Sequence, residues 1–409
     1  MDIKEYPVGT IFGQEEISAI ERVLNSGEPL TRGSDVELFE QEFATYCSAK
    51  YAVAVSSCGA ALEISSMILN LNEGDEVICQ ANSFWVTINH LIRRNVKIIC
   101  VDINPRTLNI DENQIESLIS DKTKAIYLVH HGGNPANLDP IRNIADRYHL
   151  TLVEDCAHAV GSEYHGKKIG SDSDLACFSF SSLKNISTLG EGGMIVTKHK
   201  EFADLAIGFR TNYPFGLKVK KQVRSLGDFP KPSSPAFMHM GDAWDYNWHR
   251  LDEMGSTYRM STPQAAVGRV QLKKLDSLIG KRKKIADKYN QVIKNIEELE
   301  LLQILPNCIH NWHLYSFFLE QECPLDRDTM VKILDKEFGI HIVIRYFPIN
   351  LGGILRMRGC KQGGCEQCSK LKNIERMWFE EQMSLPISPQ MKSEEIDYFC
   401  ESITKIFNG

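Results

Sequence analysis

Apolar residues along this chain fall in short runs separated by stretches with helical spacing. Residues 51–56, 76–79, 96–101, 124–129, 150–154, 174–180 and 194–197 are such runs, rich in Val, Ile and other strand-favouring side chains, and they predict β-strands. Several are apolar throughout instead of alternating. A strand buried on one face alternates, so continuous runs imply a mainly parallel sheet covered by helices on both sides. The predicted fold class is α/β.

A second pattern begins at Ser261-Thr262-Pro263-Gln264, a capping residue followed by proline, from which Val267, Val270, Leu272, Leu275 and Leu278 continue with helical spacing. This helix is expected to link two domains. Strand-like runs at 314–319 and 340–344 then flank a helical stretch, and Ser393 opens a final helix, as in a smaller α+β domain. The expected division is a large domain over 1–260, and the linking helix with a small C-terminal domain over 261–409. Residues 212–254 fit neither pattern. They run from basic (Lys218 to Arg224) through proline-rich to aromatic (Trp244, Tyr246, Trp248). Long irregular segments are more often functional or disordered than structural. The segment reads either as a substrate loop contacting a phosphate, nucleotide or sugar ring, or as a surface insertion.

With 409 residues, 43% of them hydrophobic, the chain can bury a large core. A net charge of -7 with scattered basic residues argues against a nucleic-acid footprint. No signal-peptide pattern and no membrane-length apolar run occurs, so the expected location is the cytoplasm. Twelve cysteines, among them Cys79, Cys100 and Cys177 in apolar runs, read as reduced thiols. Cys360, Cys365 and Cys368 have C-x4-C-x2-C spacing. A metal site normally takes four ligands, which Cys308, His310 or Cys400 could complete; a structural zinc or iron-sulfur site and unligated thiols both stay open.

The chemistry gathers around Lys184. It follows one strand-like run and precedes the Gly190-Glu191-Gly192-Gly193 turn into the next, which places an amine at a sheet edge beside glycines that permit close approach. Asp155, 29 residues earlier by subtraction of the two numbers, ends another strand. Its plain reading is a helix N-cap. Ser56-Ser57-Cys58-Gly59-Ala60-Ala61-Leu62 turns from the first strand into a helix, where free N–H groups favour an anion; tight turns also use these residues for shape alone. An amine, a carboxylate and an anion cradle are what pyridoxal phosphate requires.

Beyond these three, the chain resembles the DegT/StrS-type (DegT/DnrJ/EryC/StrS) sugar aminotransferases, within the fold-type I pyridoxal phosphate enzymes, almost from end to end. The likeness is carried in order by residues 12–17, 26–33, 39–43, 134–140, 154–161, the Lys184 segment, 258–268 and 385–389. The resemblance implies a large domain with a seven-stranded mainly parallel sheet between helices, plus a smaller α+β C-terminal domain. It implies that Lys184 carries pyridoxal 5'-phosphate, that Asp155 faces the pyridine nitrogen, and that Cys58, Gly59, Ala60 and Ser179 contact the phosphate. Phe84 matches an aromatic stacked on the cofactor ring; its plain alternative is a core phenylalanine. His158 stands where glutamine is usual, either over the ring or at its phenolic oxygen, or as a satisfied core histidine. Thr257 stands where an asparagine reaches the phosphate across a dimer, and Cys58-Gly59 where Gly-Thr is common.

By this resemblance the expected protein is a homodimer with shared active sites. It would transaminate a keto-sugar or keto-cyclitol, with glutamate or glutamine as donor. A branch of the family that dehydrates sugars replaces the lysine with histidine, so Lys184 favours transamination. A related dehydratase or epimerase, and a catalytically silent regulator of the same fold, are the alternatives.

Overall fold

The structure, a computed structural model, describes residues 2–211, 255–353 and 371–408. The irregular segment at 212–254 and the thiols Cys360, Cys365 and Cys368 lie outside the described residues. A seven-stranded sheet runs in the order Tyr51–Val55, Gly193–Thr197, Leu175–Ser179, Thr151–Asp155, Thr123–Val129, Glu76–Gln80, Lys97–Val101. Every strand is parallel to the others except Gly193–Thr197, which is antiparallel to both its neighbours. These are the seven apolar runs, and the mainly parallel α/β sheet expected from them is borne out.

Both faces of the sheet are buried. Val53, Val77, Cys79, Tyr127, Val153 and Cys177 pack under helices Cys58–Ile68, Val86–Arg93 and Lys200–Phe209. The alternate residues Ala54, Ile78, Ile126, Leu152, Ala176 and Phe178 pack under Ser34–Cys47, Leu138–Tyr148 and the start of Thr262–Ile293. Two covered faces explain why the runs do not alternate. Nine described cysteines are free thiols, and no described helix is long and apolar enough to cross a membrane.

The helix Thr262–Ile293 opens as its sequence predicts. Ser261 and Gln264 form a reciprocal capping box, with proline in the first turn. Its first half packs on the large sheet through Ala265, Leu272 and Leu275. Its second half, Ile285, Tyr289 and Ile293, packs on a three-stranded antiparallel sheet of Leu299–Leu301, Tyr315–Leu319 and Gln382–Leu385. One expectation fails here: residues 340–344 make no strand, only single bridges from Ile340 to Ile3 and from Val343 to Ser384. The chain leaves the small sheet at once, and the Tyr346 N–H reaches Asn82 Oδ1 at 3.3 Å beside the large sheet.

Candidate active site

Because six of the seven strands point the same way, their C-terminal ends meet at one edge, where α/β folds bind ligands. Asp155 and Ser179 are the last residues of their strands, and Cys58 opens the helix after Tyr51–Val55. Lys184 lies in the loop that joins Leu175–Ser179 to Gly193–Thr197. Together they surround a cavity of about 810 Å³, whose wall includes Cys58, Gly59, Asp155, Ser179 and Lys184. Phe84 and His158 complete its sides. Two glycines permit this closeness: a Cβ on Gly193 would lie 2.4–2.7 Å from the backbone of Ser57 and Cys58, and one on Gly9 2.1–2.7 Å from the carbonyls of Leu183 and Lys184.

One end of the cavity suits an anion. Ser57 caps the helix Cys58–Ile68 by accepting the Ala60 N–H at 3.1 Å. That occupies the Ala60 donor. The Cys58 and Gly59 N–H groups begin the helix, have no intrahelical acceptor and face the positive end of its dipole. Ser179 adds a hydroxyl, held by a long 3.4 Å bond from the Ser181 N–H. A phosphate would find two backbone donors and a hydroxyl here.

Asp155 is nearly fully buried. The Thr87 hydroxyl donates to its Oδ2 at 2.8 Å and the Ala157 N–H to its Oδ1 at 3.0 Å, with the Cys58 thiol 3.8 Å from Oδ1. Burial pushes this carboxyl up, against those donors and the charge of Lys184. A buried carboxylate so placed is satisfied by a further cation, which a protonated pyridine supplies. No helix follows Asp155, so its bond to Ala157 closes a turn instead of capping a helix. The Lys184 backbone N–H bonds the Ser181 carbonyl at 3.0 Å, but the Lys184 amine makes no hydrogen bond or ion pair with a described residue. Its amine is held down to about 8 by burial, with Asp155 opposing.

His158 has both ring nitrogens engaged. The Gly132 N–H donates to Nδ1 at 3.2 Å, so the proton of the neutral ring sits on Nε2 and points to the Tyr346 hydroxyl at 3.0 Å. Burial, reinforced by the charge of Lys184, keeps the ring neutral. Phe84 is 47% exposed and lies 5.6 Å from the Tyr346 ring, so it lines the site and is no core residue. Thr257 is exposed and does not line this cavity, but the carbonyl of the adjacent Tyr258 accepts the Ser56 N–H at 2.7 Å, which seats the segment against the anion end. Sequence reasoning missed Thr87, Glu191, Arg345 and Tyr346. The last two sit in an irregular stretch with no periodic signal, and the sole cue was a cation beside an aromatic in an otherwise apolar run.

A family model described as the DegT/DnrJ/EryC1/StrS aminotransferase family matches residues 10–404. The chain belongs to this family. Among sequence relatives, the spore coat polysaccharide biosynthesis protein SpsC of Bacillus subtilis is 32% identical over 400 residues, 98% of this chain and 96% of that one. Among solved structures, Helicobacter pylori PseC, an aminotransferase involved in the biosynthesis of pseudoaminic acid, matches with a TM-score of 0.82 at 26% identity, over 99% of this chain and all of that one. NtdA of Bacillus subtilis, solved with its cofactor PMP bound, matches with a TM-score of 0.78 at 27% identity, over 97% of this chain and 82% of that one. The fold is that of the sugar aminotransferases, and the family resemblance carried by the motifs holds across the chain.

Proposed function

We propose that this protein uses pyridoxal 5'-phosphate to move an amino group from glutamate, or from glutamine, to the ketone of a sugar or cyclitol. The observation that carries this reading is that Lys184, Asp155 and the anion-ready start of helix Cys58–Ile68 open on one cavity. Bound there, the cofactor would supply an aldehyde and an electron-accepting ring. Lys184 would hold it and, as the amine at the centre of the cavity, would take and return the proton at the substrate carbon. Its lowered basicity suits that exchange near neutral pH. Asp155 holds the ring nitrogen protonated, and Thr87 and Ala157 keep its carboxylate aimed. The Cys58 and Gly59 N–H groups and the Ser179 hydroxyl would hold the phosphate, and Phe84 and His158 line the cavity where the ring would bind.

The roles of SpsC and PseC, in spore coat polysaccharide and pseudoaminic acid biosynthesis, support a sugar ketone over other acceptors. We read residues 1–260 as the cofactor-carrying unit and 261–409 as the linking helix and small domain. We read the enzyme as a cytoplasmic homodimer in which Thr257 approaches the partner's phosphate site. The retained Lys184 weighs against the dehydratase or epimerase, and its pairing with Asp155 weighs against a silent regulator. The test is direct: purified protein should be yellow, lose the colour with glutamate, and regain it with one member of a panel of keto-sugars and inososes. Colour that no amino donor changes would overturn the reading.

A further inference from the structure

Lys184 and Arg345 are the two cationic side chains, among the described residues, that line the cavity. If Lys184 is committed to the cofactor, as proposed above, Arg345 is the charge left to meet a substrate. Every amino donor carries a carboxylate beside its amine, and an unpaired carboxylate inside a protein is costly. A guanidinium is the side chain best shaped to receive one. Arg345 already holds such a group: its Nη2 lies 2.6 Å from both carboxylate oxygens of Glu5, in the N-terminal segment. Glu5 is itself partly exposed.

A second, smaller cavity of about 50 Å³ adjoins this point, lined by Glu5, Arg282, His313, Lys184, Arg345 and Tyr346 among others. It shares Leu183, Lys184, Arg345 and Tyr346 with the main cavity but none of Ser57, Cys58, Gly59 or Ser179. Arg345 therefore stands apart from the cradle assigned to the cofactor phosphate. Two of the lining residues keep buried polar atoms without a partner among the described residues, Arg282 Nε and His313 Nδ1. The Arg282 guanidinium is otherwise filled by the carbonyls of Gly9, Trp312, His313 and Ile387. We propose that Arg345 is the docking point for the substrate carboxylate, that of the amino donor, and that Glu5 occupies this point until the donor displaces it.

The experiment compares the holoenzyme with R345Q, R345K and E5Q. Binding of glutarate, a dicarboxylate with no amine to react, is measured by calorimetry, and each half-reaction is followed separately by its colour change. Glutarate and glutamate should bind R345Q at least about 30-fold more weakly, R345K to an intermediate degree, and E5Q several-fold more tightly because the competing carboxylate is gone. The loss in R345Q should fall at least about tenfold harder on the glutamate half-reaction than on the ketone half-reaction. Unchanged glutarate binding in R345Q overturns the proposal, as does a loss falling mainly on the ketone, which would assign Arg345 to an anion on the sugar. If R345Q does not fold, E5Q decides: unchanged or weaker glutarate binding overturns the proposal. Wild-type protein that never turns yellow overturns the aminotransferase reading instead, and glutarate calorimetry still decides the role of Arg345.

Discussion

His158 donates its Nε2 proton to the Tyr346 hydroxyl across 3.0 Å, with the two rings 22° from parallel. Since the Gly132 N–H holds Nδ1, the imidazole cannot aim its proton elsewhere without losing this bond. Tyr346 accepts from His158 and keeps its own O–H for the cavity that it lines.

Replacing Tyr346 with phenylalanine removes both the acceptor for His158 and that free donor. The expected result is a fall in kcat/KM of about 10- to 100-fold with about 1 kcal/mol lost in stability. H158Q, which keeps a donor for Tyr346, should fall less than H158A. Steady-state kinetics and thermal denaturation of the three variants check this. Equal losses in H158Q and H158A would mean that the Tyr346 bond is not what matters.

Lys184 sets a pH dependence. With its ammonium titrating at about 8, about a tenth of the amines are neutral at pH 7, against under a thousandth for an ordinary lysine. Capture of added pyridoxal phosphate by the cofactor-free protein needs the neutral amine. Its rate should climb with pH to about 8 and then level off. A rate still climbing towards pH 10 would mean that the amine is not buried as described.

Asp155→Asn keeps the shape of the site and removes its charge. Cofactor should still bind, while transamination falls at least about 100-fold. T87V, which removes a donor to the same carboxylate, should move activity in the same direction by less. Absorbance titration separates binding from rate; an active D155N protein would remove Asp155 from the ring nitrogen.

Gly193→Ala tests the close approach that forms the anion end. The added Cβ would overlap the Ser57 and Cys58 backbone. Stability should drop by about 1–3 kcal/mol, with weaker cofactor retention on dialysis. Chemical denaturation and a retention assay measure the two effects.

Much of this molecule is legible in its sequence. Strands buried on both faces write themselves as continuous apolar runs, and Asp155 and Lys184 stand out because each follows such a run and strand ends converge in a parallel sheet. The run at 340–344 misled for the same reason: its β-branched residues favour a strand, but the chain departs to place Arg345 and Tyr346 in the cavity. Their roles come from partners far away in sequence. Tyr346 meets His158 across 188 residues and Arg345 meets Glu5 across 340. No local pattern encodes such meetings. Thr87 was equally silent, since a threonine near a helix start has many ordinary uses.

Whether Lys184 carries the cofactor is decided by chemical trapping. Purified holoenzyme is reduced with borohydride, digested, and its peptides are mapped by mass. One pyridoxyl-phosphate adduct is expected, on Lys184, and none in K184A under the same treatment. An adduct on another lysine, or none on yellow wild-type protein, would contradict it.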